Sequence, residues 1–443
     1  MSALHRGSHS LAAFSPKASL VIREAPVSSP DFHAAEWRGS VLLDQERAAM
    51  ASAARFHAHV RTGLLERAMS LGADHVSGPH RARPEVARRF VSHVEALAEA
   101  GLCAEEIFAF AAERDIEDAG VPWAIAILFG CVDAPSAEVC FEAWAGALDP
   151  SAPTAYAAVI EIARALAEAP SPRFNGIARR LVASPNAVLR AIALECSSPG
   201  DVTDAELSTC ASIDAPMVWT ALDRLLSRGP RDRARHVRAR PPWTELGSVE
   251  LAFEAARARV LCGDLGPLYA LRARDSRALS ALGPRALDCI ALACDPADPE
   301  LPAAIARATP TTPQMLSALG RIGLPALFPR LLAALDEEDF EDDAHEALVT
   351  ALGPVVEEPS PQAWQEAVLA ASSTPQDARR RAGAIYSSRA VLADLKRSEL
   401  SALDVEARAN ELFASTGRHI DVSWNVFGTS LEAALVELSS LVR

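Results

Sequence analysis

Long apolar runs are missing from this 443-residue chain. A membrane-crossing helix needs roughly 18 or more consecutive apolar residues, and the longest candidate, Val121 to Val132, is broken by Pro122 and Gly130. No membrane span is expected. The N-terminus sets His5, Arg6 and His9 among polar neighbours and has no apolar segment of the kind a secretory signal carries. Aromatic residues make up only 5%, too few for sheets that rely on aromatic and β-branched pairs. Lysine occurs only at Lys17 and Lys396, so almost all positive charge is arginine; with the abundant alanine and proline this is a habit of composition and carries no functional message. Cysteine pairing is also absent. Cys103, Cys131, Cys140, Cys196, Cys210, Cys262, Cys289 and Cys294 include no CxxC, and they read as reduced, buried thiols of a cytoplasmic protein.

Motifs for chemistry are missing as well. There is no GxSxG elbow, no GxGxxG loop and no phosphate loop, and neither lysine stands in a GK[ST] context. His345-Glu346 begins like HExxH, but the fifth position is Val349. His57 and His59 are two residues apart, which on a helix turns them to different sides. His93 or Asp201 meeting a serine in the fold is a combination that chance alone supplies. No catalytic residue, metal or cofactor is expected.

What the chain does have is helical periodicity. Half of its residues are hydrophobic, and from Gln314 to Gly353 they fall on three successive helical faces. Met315, Ala318, Leu319 and Ile322 form the first. Leu324, Leu327, Phe328, Leu331, Leu332 and Leu335 form the second, and Ala344, Ala347, Leu348, Ala351 and Leu352 the third. A lone helix cannot bury such a face, so each must stack on neighbours. Further upstream, Val86, Phe90, Val94 and Leu97 share one face, and Trp123, Ile127 and Leu128 another. Trp123 and Trp144 read as core.

Two devices punctuate these faces. Ser, Thr or Asp precedes Pro at Ser171-Pro172, Ser184-Pro185, Asp298-Pro299, Thr312-Pro313, Ser360-Pro361 and Thr374-Pro375; the oxygen caps free N–H groups and proline is at home in the first turn, so each pair predicts a helix start. Leu282-Gly283, Leu319-Gly320 and Leu352-Gly353 predict helix ends, because glycine readily takes the left-handed conformation. The spacings between those glycines, 37 and 33 residues, lie near those of HEAT-type repeats. Pro329 inside the second face is expected to bend that helix, again as in HEAT pairs.

The sequence therefore predicts an all-α chain: an α-solenoid of HEAT-like helical pairs with an N-terminal arm and a C-terminal helical cap. The expected parts are an arm over residues 1–50, a helical region over 51–149, the repeat array over 150–398 and the cap over 399–443.

Two charged segments are the candidate partner-binding residues. Asp336, Glu337, Glu338, Asp339, Glu341, Asp342 and Asp343 are interrupted only by Phe340; the central glycine of an EF-hand is absent, so a solvated loop or a dock for a basic partner is expected. Arg228, Arg231, Arg233, Arg235, Arg238 and Arg240, with His236 and the flanking Trp219 and Trp243, form a basic connection. Arginines among aromatics suit nucleic acid, yet the net charge of −15 over the whole chain opposes it. A protein partner is the simpler expectation.

Arg88-Arg89-Phe90-Val91-Ser92-His93-Val94-Glu95-Ala96-Leu97, followed by Glu99-Ala100-Gly101, resembles the RLxAHLDGLxxAG-like segment of an uncharacterised bacterial family of HEAT-repeat proteins, some encoded beside type VI secretion genes. Ala407 to Gly417 is similar to that family's AGEAFxxITG segment. The resemblance spans most of residues 55 to 420 and implies a cytosolic accessory or scaffold role. Glu95-Ala96 stands where the family has Asp-Gly, and Ala409-Asn410 where it has Ala-Gly. Leu412 and Phe413 read as packing residues and Gly417 as a helix stop. The function expected is a non-catalytic protein–protein interaction scaffold. The alternative is a HEAT-like enzyme of lyase or DNA glycosylase type acting in the concave surface.

Overall fold

In a computed structural model of the chain the described residues are 60–74, 83–114, 120–132, 134–169, 171, 173–229, 242–354, 360–372, 378–396, 400, 402–417 and 436. They are predominantly helical. The order is α1 (residues 60–74), α2 (Arg83–Glu99), α3 (Ala104–Ala112), α4 (Gly120–Cys131), α5 (Pro135–Gly146), α6 (Ala155–Glu168), α7 (Ile177–Leu181), α8 (Ala187–Cys196), α9 (Asp204–Ala211) and α10 (Pro216–Ser227). The second half continues with α11 (Val249–Leu261), α12 (Gly266–Arg272), α13 (Ser276–Leu282), α14 (Ala286–Leu292), α15 (Glu300–Ala308), α16 (Pro313–Ile322), α17 (Phe328–Ala334), α18 (Glu341–Leu352) and α19 (Pro361–Ser372). A small antiparallel hairpin, β1 (Arg380–Arg381) and β2 (Ala384–Ile385), leads into α20 (Ser388–Leu395) and α21 (Ala402–Thr416).

The predicted faces are the buried ones. Met315, Ala318, Leu319 and Ile322 on α16, and Ala344, Leu348 and Ala351 on α18, are fully enclosed, each large aliphatic side chain contributing about 1.5–3 kcal/mol on burial. The apolar run Val121 to Cys131 is explained by α4, which is buried on nearly every side. Trp123 packs against Phe90 with its ring tilted by 52°, and Phe129, Phe141, Trp144 and Phe174 form a second aromatic cluster.

Punctuation is where the structure departs from expectation. Thr312 accepts from the Met315 N–H with Pro313 in the first turn, and Ser360 does the same for Ala363 ahead of α19. Ser184-Pro185 does not start a helix: α8 begins two residues later, where Asn186 accepts from the Val188 and Leu189 N–H groups. Asp298-Pro299 lies one residue ahead of α15, Ser171-Pro172 precedes a 3-10 turn at Phe174–Gly176, and Thr374-Pro375 lies outside the described residues.

Leu319-Gly320 is not a helix end. Gly320 sits inside α16 against the Ala347 backbone of α18, where a Cβ would come within 2.5 Å of the Ala347 carbonyl oxygen; its glycine serves a close helix approach. α16 ends instead at Gly323, which takes the left-handed conformation at φ 64°. Leu282-Gly283 and Leu352-Gly353 do end helices. Pro329 bends nothing, because the second apolar face is a 3-10 turn, Pro325–Leu327, followed by α17, and Pro329 falls in the first turn of α17 where its missing N–H costs no bond.

Tertiary packing follows a simple rule. α4, α6, α8, α10, α11, α14, α16 and α18 form a row in which each helix packs on the next. The helices between them lie against this row: α5 and α7 on α8, α9 on α10, α12 and α15 on α14, α17 and α19 on α18. α20 and α21 pack on each other around their own apolar cluster of Val391, Leu392, Leu395, Leu400, Val405 and Leu412, separate from the main core. α21 also touches α11 and α14 of the row.

Candidate functional site

Most faces of the row helices are apolar, yet nearly every row helix carries a polar residue turned to one seam. Glu161 and Arg164 sit on α6, Glu195 on α8, Arg224 on α10, Glu254 and Arg257 on α11, Asp288 on α14, Arg321 on α16 and Thr350 on α18. From Glu161 through Glu195, Arg224, Glu254, Asp288 and Arg321 to Thr350 they recur every 29 to 34 residues, once per helix of the row. Within the row they pair across neighbouring helices. Arg224 donates from Nε to Glu195 at 2.9 Å and from its η nitrogen to Glu254, Tyr156 donates its hydroxyl to Glu195 at 2.6 Å, and Arg321 pairs with Asp288.

α21 completes the seam. Glu406 pairs with Arg164 of α6, lies 3.3 Å from Arg257 of α11 and 3.8 Å from Arg224 of α10. Glu411 lies 3.6 Å from Arg321 of α16 and pairs with Arg381. Arg381 and Arg408 both donate to Asp394 Oδ2, at 2.9 and 2.8 Å, and Arg408 reaches the Thr350 hydroxyl at 3.1 Å. Arg381, Asp394, Arg408 and Glu411 are almost completely enclosed.

Charge balance decides the protonation states. Burial pushes the Glu406 carboxyl up, but Arg164, Arg257 and Arg224 overcome this and hold it far below the ordinary carboxylate range. Burial likewise opposes ionisation of Glu254, and Arg257 and Arg224 again win. At Asp288 burial outweighs Arg321, and the carboxyl is raised. The thiols of Cys131 and Cys196 are pushed up to about 12 by burial, so neither is a thiolate at neutral pH.

The seam also fixes the shape of the row. α6 and α18 are six steps apart, which at roughly 8–10 Å per step would separate them by about 50–60 Å in a flat array. Yet Arg164 of α6 reaches Glu406 and Thr350 of α18 reaches Arg408, two positions along the same helix. The row therefore bends around α21.

Glu250 shows the same bend. From the first turn of α11 its carboxyl faces the backbone amides of Ala157 and Tyr156 in the first turn of α6. Burial, with Glu254 adding to it, outweighs Arg285 and these amides and raises Glu250 to about 7. An acid raised on folding makes the native state bind the extra proton, so its stabilisation is present at low pH and is lost as pH rises through about 7. Glu250→Gln is expected to be more stable than the parent at pH 8 and to flatten the loss of stability between about pH 4.5 and 7. Urea unfolding at pH 5, 6, 7 and 8 measures it.

A second feature binds helix ends. Arg379 donates to the carbonyls of Ala291 and Ile322 at 3.0 Å each, Arg381 to Arg321 at 2.8 Å and Arg380 to Ala371 at 3.3 Å. The Ala382 and Gly383 N–H groups donate to Thr350 and Ala351. One five-residue stretch thus satisfies the last carbonyls of α14, α16, α18 and α19, where a positive charge also complements the helix dipole.

No family model, curated protein or solved structure matches this chain.

Of the sequence candidates, Asp336, Glu337, Glu338 and Asp339 lie in the exposed turn between α17 and α18; Glu341 and Asp342 are exposed and Asp343 half-buried in the first turn of α18. Burial, with Asp342 and Asp404 adding to it, raises the Asp343 carboxyl. Arg231, Arg233, Arg235, Arg238 and Arg240 lie outside the described residues, as do His57, His59 and His236. Arg228 caps α8 by donating to Leu194 and Glu195 carbonyls, and Trp243 is buried. Leu412 and Phe413 are packing residues and Gly417, at φ 72°, ends α21. Sequence reasoning passed over Arg408 and Glu411 in the same segment, and over the polar residue in each row helix. The signal was a polar residue recurring every 29 to 34 residues inside otherwise apolar helices. Among the described residues no helix is long and apolar enough to cross a membrane.

Proposed function

We propose that this chain is a non-catalytic scaffold, an α-solenoid of HEAT-like helical pairs that binds a protein along the curved face of its helix row. The observation that carries the reading is the seam, where a row of stacked helices already grips a helix, α21, through arginine–carboxylate pairs. Stacked repeats create such extended surfaces without needing a reacting centre. The resemblance of residues 88–101 and 407–417 to a bacterial HEAT-repeat family adds an accessory role in the cytoplasm, linked to type VI secretion. The acidic turn from Asp336 to Asp343 is a second contact region in this reading, and its association weakens with salt.

Affinity capture by the full chain from its source cells, with partners identified by mass spectrometry, tests the proposal. Asp339→Asn, Asp342→Asn and Asp343→Asn together are expected to leave stability within about 0.5 kcal/mol, as for ordinary surface positions, while lowering affinity for a partner that uses the turn. Unchanged affinity for every captured partner removes the acidic turn from the site. Failure to capture any protein reproducibly removes the scaffold reading.

A further inference from the structure

We propose that the seam of the row is a docking surface for an acidic amphipathic helix, and that α21 is the occupant holding it until such a helix from a partner protein displaces it. The inference rests on the scaffold reading and adds the chemistry of the partner and its competition with the chain's own α21.

Three observations point the same way. The α20–α21 unit has an apolar cluster of its own, separate from the main core, so it is a packed body laid against the row. Its attachment to the row is mostly polar. On α21, Phe413, with Ala414 beside it, joins Val260, Leu261 and Leu292 of the row in one small apolar cluster, while Glu406 meets three arginines from three different row helices. Polar attachment around one aromatic anchor is how separate proteins meet.

Charge in the row supplies the third. Among the described ion pairs the row provides six arginines, Arg228 and Arg259 joining those already described, against five carboxylates, Glu161, Glu195, Asp223, Glu254 and Asp288. One positive charge is left over, and the carboxylate of Glu406 answers it from outside the row. The occupant is thereby specified. It is a helix with a carboxylate at the place of Glu406 and an aromatic seven residues later, on the same face, at the place of Phe413.

Among the described residues Glu406 pairs with row arginines alone, whereas Glu411 also ties α21 to Arg381. Glu406→Arg in the full chain therefore repels the seam and leaves the α20–α21 cluster intact. A labelled synthetic peptide of residues 400–417 is the probe. It is expected to bind the Glu406→Arg chain at least tenfold more tightly than the parent, whose own α21 competes. The same peptide carrying Glu406→Arg is expected to lose that binding, and added salt to weaken it. Hydrogen exchange on the parent gives the independent reading: amides of α21 are expected to exchange through a local opening, faster than amides of α10 and α16. Equal protection of α21 and α16 in the parent overturns the proposal, and so does a Glu406→Arg chain that frees residues 402–416 yet leaves the peptide unbound. Should Glu406→Arg unfold the chain, the exchange comparison on the parent decides alone. Captured proteins with a failed peptide and a rigid α21 would sink this inference and leave the scaffold reading standing; peptide binding without any captured cellular protein would sink both.

Discussion

Arg381→Met is expected to cost the C-terminal unit about 3–5 kcal/mol, the range found when one member of a buried ion pair is removed. The side chain is fully enclosed and faces two carboxylates that are equally enclosed, Asp394 and Glu411. Methionine fills comparable space but leaves Glu411 without its nearest cation and Asp394 with Arg408 alone. The loss also removes the nearer of two donors to the Arg321 carbonyl, leaving Arg379 at 3.3 Å. Hydrogen exchange of α20 and α21 reads the effect directly. Glu411→Gln added to Arg381→Met is expected to restore part of the loss, since it deletes the charge left unpaired. If Glu411→Gln worsened the defect instead, the buried charge would not be the cause.

Gly323→Ala is expected to destabilise the chain by about 2–5 kcal/mol, summing a left-handed backbone that costs an L-residue about 1–2 kcal/mol with an overpacking cost of about 1–3 kcal/mol. Gly323 holds φ at 64°, and a Cβ there would overlap the Arg380 carbonyl oxygen. The Arg380 N–H donates to the Gly323 carbonyl at 2.7 Å, so neither backbone can withdraw without breaking that bond. Urea or thermal unfolding gives the number. Gly176→Ala is the control, because nothing lies within 4 Å of its would-be Cβ.

The helical class and the buried faces were legible because they depend on local periodicity. Leu348 and Met315 announce themselves every three or four residues regardless of what they meet. Gly320 misled for the opposite reason: a glycine that ends a helix and a glycine that lets Ala347 approach look the same in one dimension. Pro329 and Ser184-Pro185 misled by one turn or less, since a proline tolerated in a first turn and one that bends a helix differ only in where the helix starts. The seam was hidden further still. Glu195, Arg224 and Glu254 are ordinary charged residues in sequence, and their meaning comes from neighbours 29 and 30 residues away. Arg164 and Glu406 meet across 242 residues, a pairing no local pattern contains.

Arg379 to Gly383 has a consequence for the order of events in the cell. During synthesis α14 and α16 leave the ribosome long before this stretch, which reaches back 57 residues to Ile322 and 88 to Ala291. Their terminal carbonyls must stay with water until then, so the second half of the molecule can assemble progressively but is locked late. A polypeptide stalled after α18 would carry three helix ends whose last carbonyls face water, and a seam without α21.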